Sequence, residues 1–158
     1  MQITIIAVGK RVSQWVASGF EDYVRRFPQD FRVCLVEIPL ARRTKGTEVS
    51  RLIHEEGERM LAAIPRASYV IALDERGRMW DTRQLAENLR RWRDEGLSLS
   101  LLIGGPDGLA PSCLSRADVT WSLSPLTLPH PLVRVLVAEQ IYRGWSVLAQ
   151  HPYHLGHE

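Results

Sequence analysis

A run that is apolar but for Thr4 goes from Ile3 to Val8 and stops at Gly9, which predicts a buried strand. Trp15, Val16, Gly19, Phe20, Tyr23, Val24 and Phe27 then recur at helical spacing, and Pro28 stops that helix. The Phe31–Ile38 run predicts a second strand, followed by a basic loop, Pro39 to Gly46. Thr47 can cap a helix whose apolar stripe is Val49, Leu52, Ile53, Met60, Leu61 and Ile64. Tyr69 to Leu73 forms a third strand ending at Asp74. Asp81 with Gln84 makes a capping box for a helix carrying Leu85, Ala86, Leu89 and Trp92, closed by Gly96. A continuous buried strand, Leu97 to Ile103, precedes a glycine loop, Gly104-Gly105-Pro106-Asp107-Gly108. A short helix over 111–117, a strand over 119–123, a proline-rich loop and a final helix over about 131–150 complete the chain. The alternation predicts an α/β fold, a mainly parallel sheet with helices on both faces. No linker or repeat divides residues 1–158, so a single domain is expected.

Composition narrows the classes. At 45% apolar and 24% charged the chain is globular. It has no apolar run long enough for a membrane span and no secretory signal pattern at its start. Cys34 and Cys113 are the two cysteines, which fits a cytoplasmic protein with reduced thiols. The net charge is only +2, yet the basic residues are mostly arginine. That preference suits phosphate contacts, and genomic base composition explains it equally well. No ligand cluster for a metal stands out.

Ligands of open parallel sheets bind at the carboxyl ends of the strands. Three such ends are unusual here: Leu73-Asp74, the glycine loop, and Leu123 to Pro131. The glycine loop is neither a dinucleotide fingerprint nor a P-loop, and a tight turn is its alternative explanation. The 123–131 loop is too apolar for an idle surface loop. With Leu73, its Leu123, Leu126 and Leu128 can cover the faces of a flat heterocycle such as adenine.

The segment Leu101 to Leu109, the long segment Trp121 to Arg143 with its Leu-Pro-His-Pro loop, and the tail His151-Pro152-Tyr153-His154 strongly resemble one family. It is that of the large-subunit rRNA pseudouridine N3-methyltransferases, the RlmH family. Ala7 to Lys10, Tyr23, Arg25 to Pro28 and Glu37 to Pro39 extend the resemblance over essentially the whole chain. It implies the SPOUT fold with a C-terminal trefoil knot, S-adenosyl-L-methionine as methyl donor, and no metal. It also implies a homodimer with pockets at the interface, and 23S rRNA in the large subunit or assembled ribosome as partner. Carried over by position, the donor would be held by Leu73, Gly104, Leu123, Ser124, Pro125, Leu126, Thr127 and Leu128. Two departures stand out: Leu155 to Glu158 extend past the usual end of the family's tail, and Pro125 replaces a small residue.

Methylating a ring nitrogen that carries a proton calls for a general base. The candidate catalytic residues are His130, Glu139, Arg143, Tyr153 and His154. Each has a second explanation. His130 can simply cap the last helix. Glu139 and Arg143, four apart, can form a surface ion pair or position a dimer helix. Tyr153 and His154 lie beyond the core, where they either close over the bound base or are disordered. Arg42, Arg43, Lys45 and Arg134 are candidate phosphate contacts or solvated charges. Trp15 and Trp92 are expected in the core, and Trp121 and Trp145 in the knot or the interface. The rival functions are a knotted methyltransferase for tRNA, a non-catalytic ribosome-assembly factor and a nicotinamide dehydrogenase, the last disfavoured by the missing dinucleotide fingerprint.

Overall fold

In the computed structural model, which describes residues 1–156, the first apolar run becomes β1 (Gln2–Val8) and is buried on both faces. A strand can be apolar on both of its faces only where both sides of the sheet are covered, and β1 occupies such a place. It lies parallel to β2 (Arg32–Ile38) on one side and β4 (Ser98–Ile103) on the other. β3 (Ser68–Met79) and β5 (Val119–Ser122) follow, giving a five-stranded parallel sheet in the order β2-β1-β4-β3-β5.

Two cores form, one on each face. On one side Ile3, Ile5, Ala7 and Leu101 pack beneath α1 (Gln14–Val24), α3 (Thr82–Asp94) and α5 (His130–Leu148). On the other, Ile6, Val8 and Leu102 meet Met60 of α2 (Val49–Ala63) and Cys113 of α4 (Pro111–Arg116). The expected α/β architecture is therefore present. β5, at the sheet's edge, leads through 123–129 into α5, which packs back on α3 and α1. This path agrees with the knot that the resemblance implies.

The capping box forms as expected: Asp81 Oδ1 accepts from the Gln84 amide at 2.8 Å, and Gln84 Oε1 from the Asp81 amide at 2.9 Å. Several expectations need correction. Glu48, not Thr47, holds the N-cap position of α2, while Thr47 pairs its hydroxyl with Thr44. β3 does not end at Asp74. It continues to Met79 after a register shift that sets both Leu73 and Arg78 against Trp121. Trp15 is 64% exposed, whereas Trp92 is buried. Helical periodicity puts Trp15 on the apolar stripe, but the first turn of α1 points Val16 into the core, at 2% exposure, and leaves Trp15 beside it outside. Val133, Val137, Ile141, Trp145 and Leu148 of α5 face this chain's own core rather than an uncovered side.

Candidate active site

The carboxyl ends of β4 and β5 and the bulge within β3 surround one cavity of about 470 Å³. Leu73, Gly104, Leu123, Ser124, Leu126, Thr127 and Leu128 all line it, so segments far apart in sequence converge as expected. Pro125 lies outside the lining and is exposed, one residue before the apolar Leu126. The loop is held by its own hydroxyls. Ser122 Oγ donates to the Ser124 carbonyl at 3.0 Å, and Ser124 Oγ accepts from the Leu126 amide at 3.0 Å. Thr127 Oγ1 donates to Glu75 at 2.9 Å, tying this loop to the bulge of β3.

Beyond Asp74, that bulge adds Glu75 and Arg76 to the wall of the cavity, which the sequence pattern does not show. Asp74 Oδ1 accepts from the amide of Arg76 at 2.8 Å and from its Nε at 3.1 Å. The Arg76 guanidinium holds the Asp74 carboxyl below the usual carboxylate range. A further wall is the glycine loop. A Cβ on Gly104 would stand 2.6 Å from the backbone carbon of Gly108, so the loop closes on itself there, and Gly108 takes φ +85°. The glycine serves the turn, and the turn shapes the wall. A cavity of this size suits a ligand of nucleoside dimensions. Leucines line it for a ring's faces, and close backbone approach serves its edge.

Beneath the cavity lies a buried polar layer. His130, the first residue of α5, faces the cavity, and burial followed by the charge of Arg134 lowers its pKa. The N-cap is Pro129, so His130 does not cap the helix through its side chain. Its Nδ1 is buried without a protein partner. Arg134 is 1% exposed, which overturns its reading as a phosphate contact. Its guanidinium donates to Glu37 at 2.8 Å and to the Gly9 carbonyl at 3.1 Å. Glu56, also buried, accepts from the Ala41 amide at 3.0 Å. Arg43 bridges Glu56 and Asp107, at 3.4 and 2.6 Å, so the basic loop is strapped to the glycine loop. Arg42 and Lys45 remain exposed.

The remaining candidates gather at the far end of α5. Arg143 lies about 20 Å along the helix from His130, at a rise of about 1.5 Å per residue. Its Nε donates to Glu139 at 2.8 Å; the side chains are 31% and 13% exposed, more enclosed than an ordinary surface pair. Tyr153 is not beyond the core. It lies in the 3-10 turn Pro152–Leu155, is buried, and bonds Tyr23 through its hydroxyl at 3.1 Å. The Arg143 guanidinium sits 5.0 Å from its ring centre. Burial and the Tyr23 bond raise its pKa, so its hydroxyl stays protonated. His154 beside it is half-buried, with Nδ1 unpartnered. Of the appended residues, His157 and Glu158 lie outside the described ones. Within one chain the tail and the cavity therefore do not meet. Sequence can assign both to a site; only the length of α5 shows that they are separate.

The chain matches the family described as "Predicted SPOUT methyltransferase" over residues 1–154. Among solved structures, a probable methylase family protein from Haemophilus influenzae Rd KW20 is similar, with a TM-score of 0.56 and 15% identity. The match covers 95% of this chain and 69% of that one. At that identity the likeness is one of fold.

Proposed function

Because the chain belongs to the SPOUT methyltransferase family, we propose that it transfers the methyl group of S-adenosyl-L-methionine to N3 of a pseudouridine in 23S ribosomal RNA. The observation that carries this reading is the convergence of Leu73 at the β3 bulge, the glycine loop and Leu123–Leu128 on one cavity at three adjacent strands. The bound donor supplies an electrophilic methyl on a sulfonium, which reacts by direct displacement and needs no metal. The protein's work is to hold the donor among the leucines, to align the acceptor, and to accept its proton.

His130 at the cavity and His154 in the tail are the two imidazoles suited to take that proton. Tyr153, kept protonated, donates a hydrogen bond or packs instead. The tail can reach a cavity in a homodimer, where it meets the partner's. Such an assembly also accounts for exposed Trp15 and Leu126, and for Leu132 and Leu136 of α5, which are only half-buried. A net charge of +2 is small for a protein gripping naked RNA, which favours the large subunit or assembled ribosome as substrate. A ribosomal substrate entails a cytoplasmic location. The specific tail and the Leu123–Pro131 loop weigh against a tRNA enzyme.

The test is methyl transfer from labelled donor to ribosomes, with mass spectrometry of 23S RNA from cells with and without the protein. Loss of one methylated pseudouridine is the expected result. Methylation of tRNA alone would support the rival enzyme, and donor binding with no transfer would support an assembly factor.

A further inference from the structure

A second recess, of about 660 Å³, opens on the far side of the β3 bulge. Arg76 lines both it and the first cavity, so the two adjoin across one side chain. They also share a wall: Trp121 lines the first, Trp80 the second, and the two rings stack with centres 5.3 Å apart. The floor of the recess is backbone. A Cβ on Gly77 would stand 2.7 Å from the carbonyl of Thr120, so the glycine lets the strand lie flat against β5.

The recess is lined by Arg78 and Arg91 as well as Arg76, with Asn88 of α3 and the start of β5. Arg76 is already paired with Asp74. Arg78 and Arg91 are exposed and, among the described residues, have no carboxylate within ion-pair distance. Asp118 is the acid that lines the recess, and its carboxylate is engaged by Arg116 at 3.5 Å and by the Val70 amide at 2.8 Å. Two unpaired guanidinium groups therefore face an open groove on a chain whose overall charge is only +2. Concentrated charge of this kind serves a polyanion rather than solubility.

We infer that this groove holds the RNA strand flanking the target nucleotide, with Arg78 and Arg91 on its phosphates. The inference rests on the RNA-methyltransferase reading above and adds to it where the strand leaves the site. The geometry sets a path. A base seated at the first cavity has its neighbouring phosphates at the rim, and the rim on this side is the Asp74–Arg76 bulge. The strand crosses the bulge and enters the groove, where Asn88 can meet a sugar or base edge. Single strands are gripped in this way, by a charged groove that follows the backbone without reading sequence.

Both arginines are exposed, so Arg78→Glu/Arg91→Glu is expected to leave the fold unchanged. Three measurements are made on the full-length protein: donor affinity by calorimetry, methylation kinetics on ribosomes, and binding of a single-stranded oligoribonucleotide across a salt series. The charge-reversed protein should bind donor as the wild type does, with kcat changed less than about threefold and KM on ribosomes raised at least about tenfold. Each phosphate that an arginine neutralises on a single strand adds about 0.7 to the slope of log affinity against log salt, so removing both arginines should flatten it by about 1.4. The Arg78→Lys/Arg91→Lys protein should recover most of the KM and most of the slope. An unchanged KM with an unchanged slope would overturn the inference. So would weakened ribosome binding with normal oligonucleotide binding, since the groove would then meet a ribosomal protein. If the wild type itself methylates no ribosomes, the parent reading fails, and the salt slope alone decides whether the groove holds RNA.

Discussion

His130 and Arg134 stand one turn apart on α5, and burial acts on them differently. Arg134 is met by Glu37 and by the Gly9 carbonyl. His130 has no such partner at Nδ1, and its pKa is depressed below the ordinary 6.5 by burial and by Arg134. The unfolded chain thus binds a proton at that ring which the folded chain resists. The resulting stability is fully present above the unfolded value of 6.5 and is lost as pH falls through it toward the depressed folded value. His130→Gln removes this titration, so its urea midpoint should fall less than that of the wild type between about pH 7.5 and 5.5. Parallel curves for the two proteins would assign the acid sensitivity to other groups. Arg134→Met loses two charge-assisted bonds, although water can reach the half-exposed Glu37. A loss of about 2–3 kcal/mol in denaturant unfolding is expected. A loss under about 0.5 kcal/mol, the size of an ordinary surface change, would contradict the buried pair. Sequence shows that residue 134 is charged but not which way it points, and so a structural arginine resembles a phosphate contact.

Among elements, the convergence of the strands at one edge is legible in the sequence, whereas the true end of β3 and its register are not. Alternating strands and helices force a parallel sheet, and a parallel sheet brings the carboxyl ends of its strands to one edge, so Leu73, Gly104 and Leu123 have to converge. The β3 bulge depends on how Gly77 fits against Thr120, a pairing between segments with no local signal. The wall formed by Asp74 to Arg76 is hidden with it. The place of the tail is hidden for a similar reason. His151 and Tyr153 look free of any core until α1 and α5 are placed beside them, when Tyr23 and Tyr142 become neighbours of the Tyr153 ring at 6.4 and 4.8 Å. The glycine loop provides a test at this scale. A side chain on Gly104 meets the backbone of Gly108 and Leu109 at 2.6–2.8 Å, and backbone cannot yield as a side chain can. Gly104→Val should place about 1–3 kcal/mol of strain on the loop. Donor affinity by calorimetry should fall about tenfold or more while circular dichroism stays native, since the turn lies outside both cores. Undiminished affinity would remove the loop from the donor site.

For the whole molecule, the separation of His154 from the cavity decides how an active unit can be built. α5 holds the two at opposite ends, and Tyr153 anchors the tail to α1 through Tyr23, so the tail cannot swing back over its own cavity without breaking that packing. If the tail serves catalysis, it serves the cavity of a partner subunit. Deleting from Tyr153 would open the aromatic cluster and confuse folding with chemistry. His154→Ala, which leaves that ring in place, is the better probe. A general base typically contributes about 10²–10⁴-fold, so its loss should cost at least about tenfold in methylation with donor affinity unchanged. Mixed dimers then locate its action. In a dimer pairing His154→Ala with Gly104→Val, one cavity is intact in the subunit that lacks the imidazole, and the imidazole remains on the subunit whose cavity is spoiled. Action across the interface joins the two sound halves into one working site, and activity should return to about half that of the wild type. Action within a subunit leaves both sites broken, and the mixture should show only the residual rates of the two parent homodimers. Full activity of the His154→Ala homodimer would take the tail imidazole out of the chemistry and leave His130 to receive the proton.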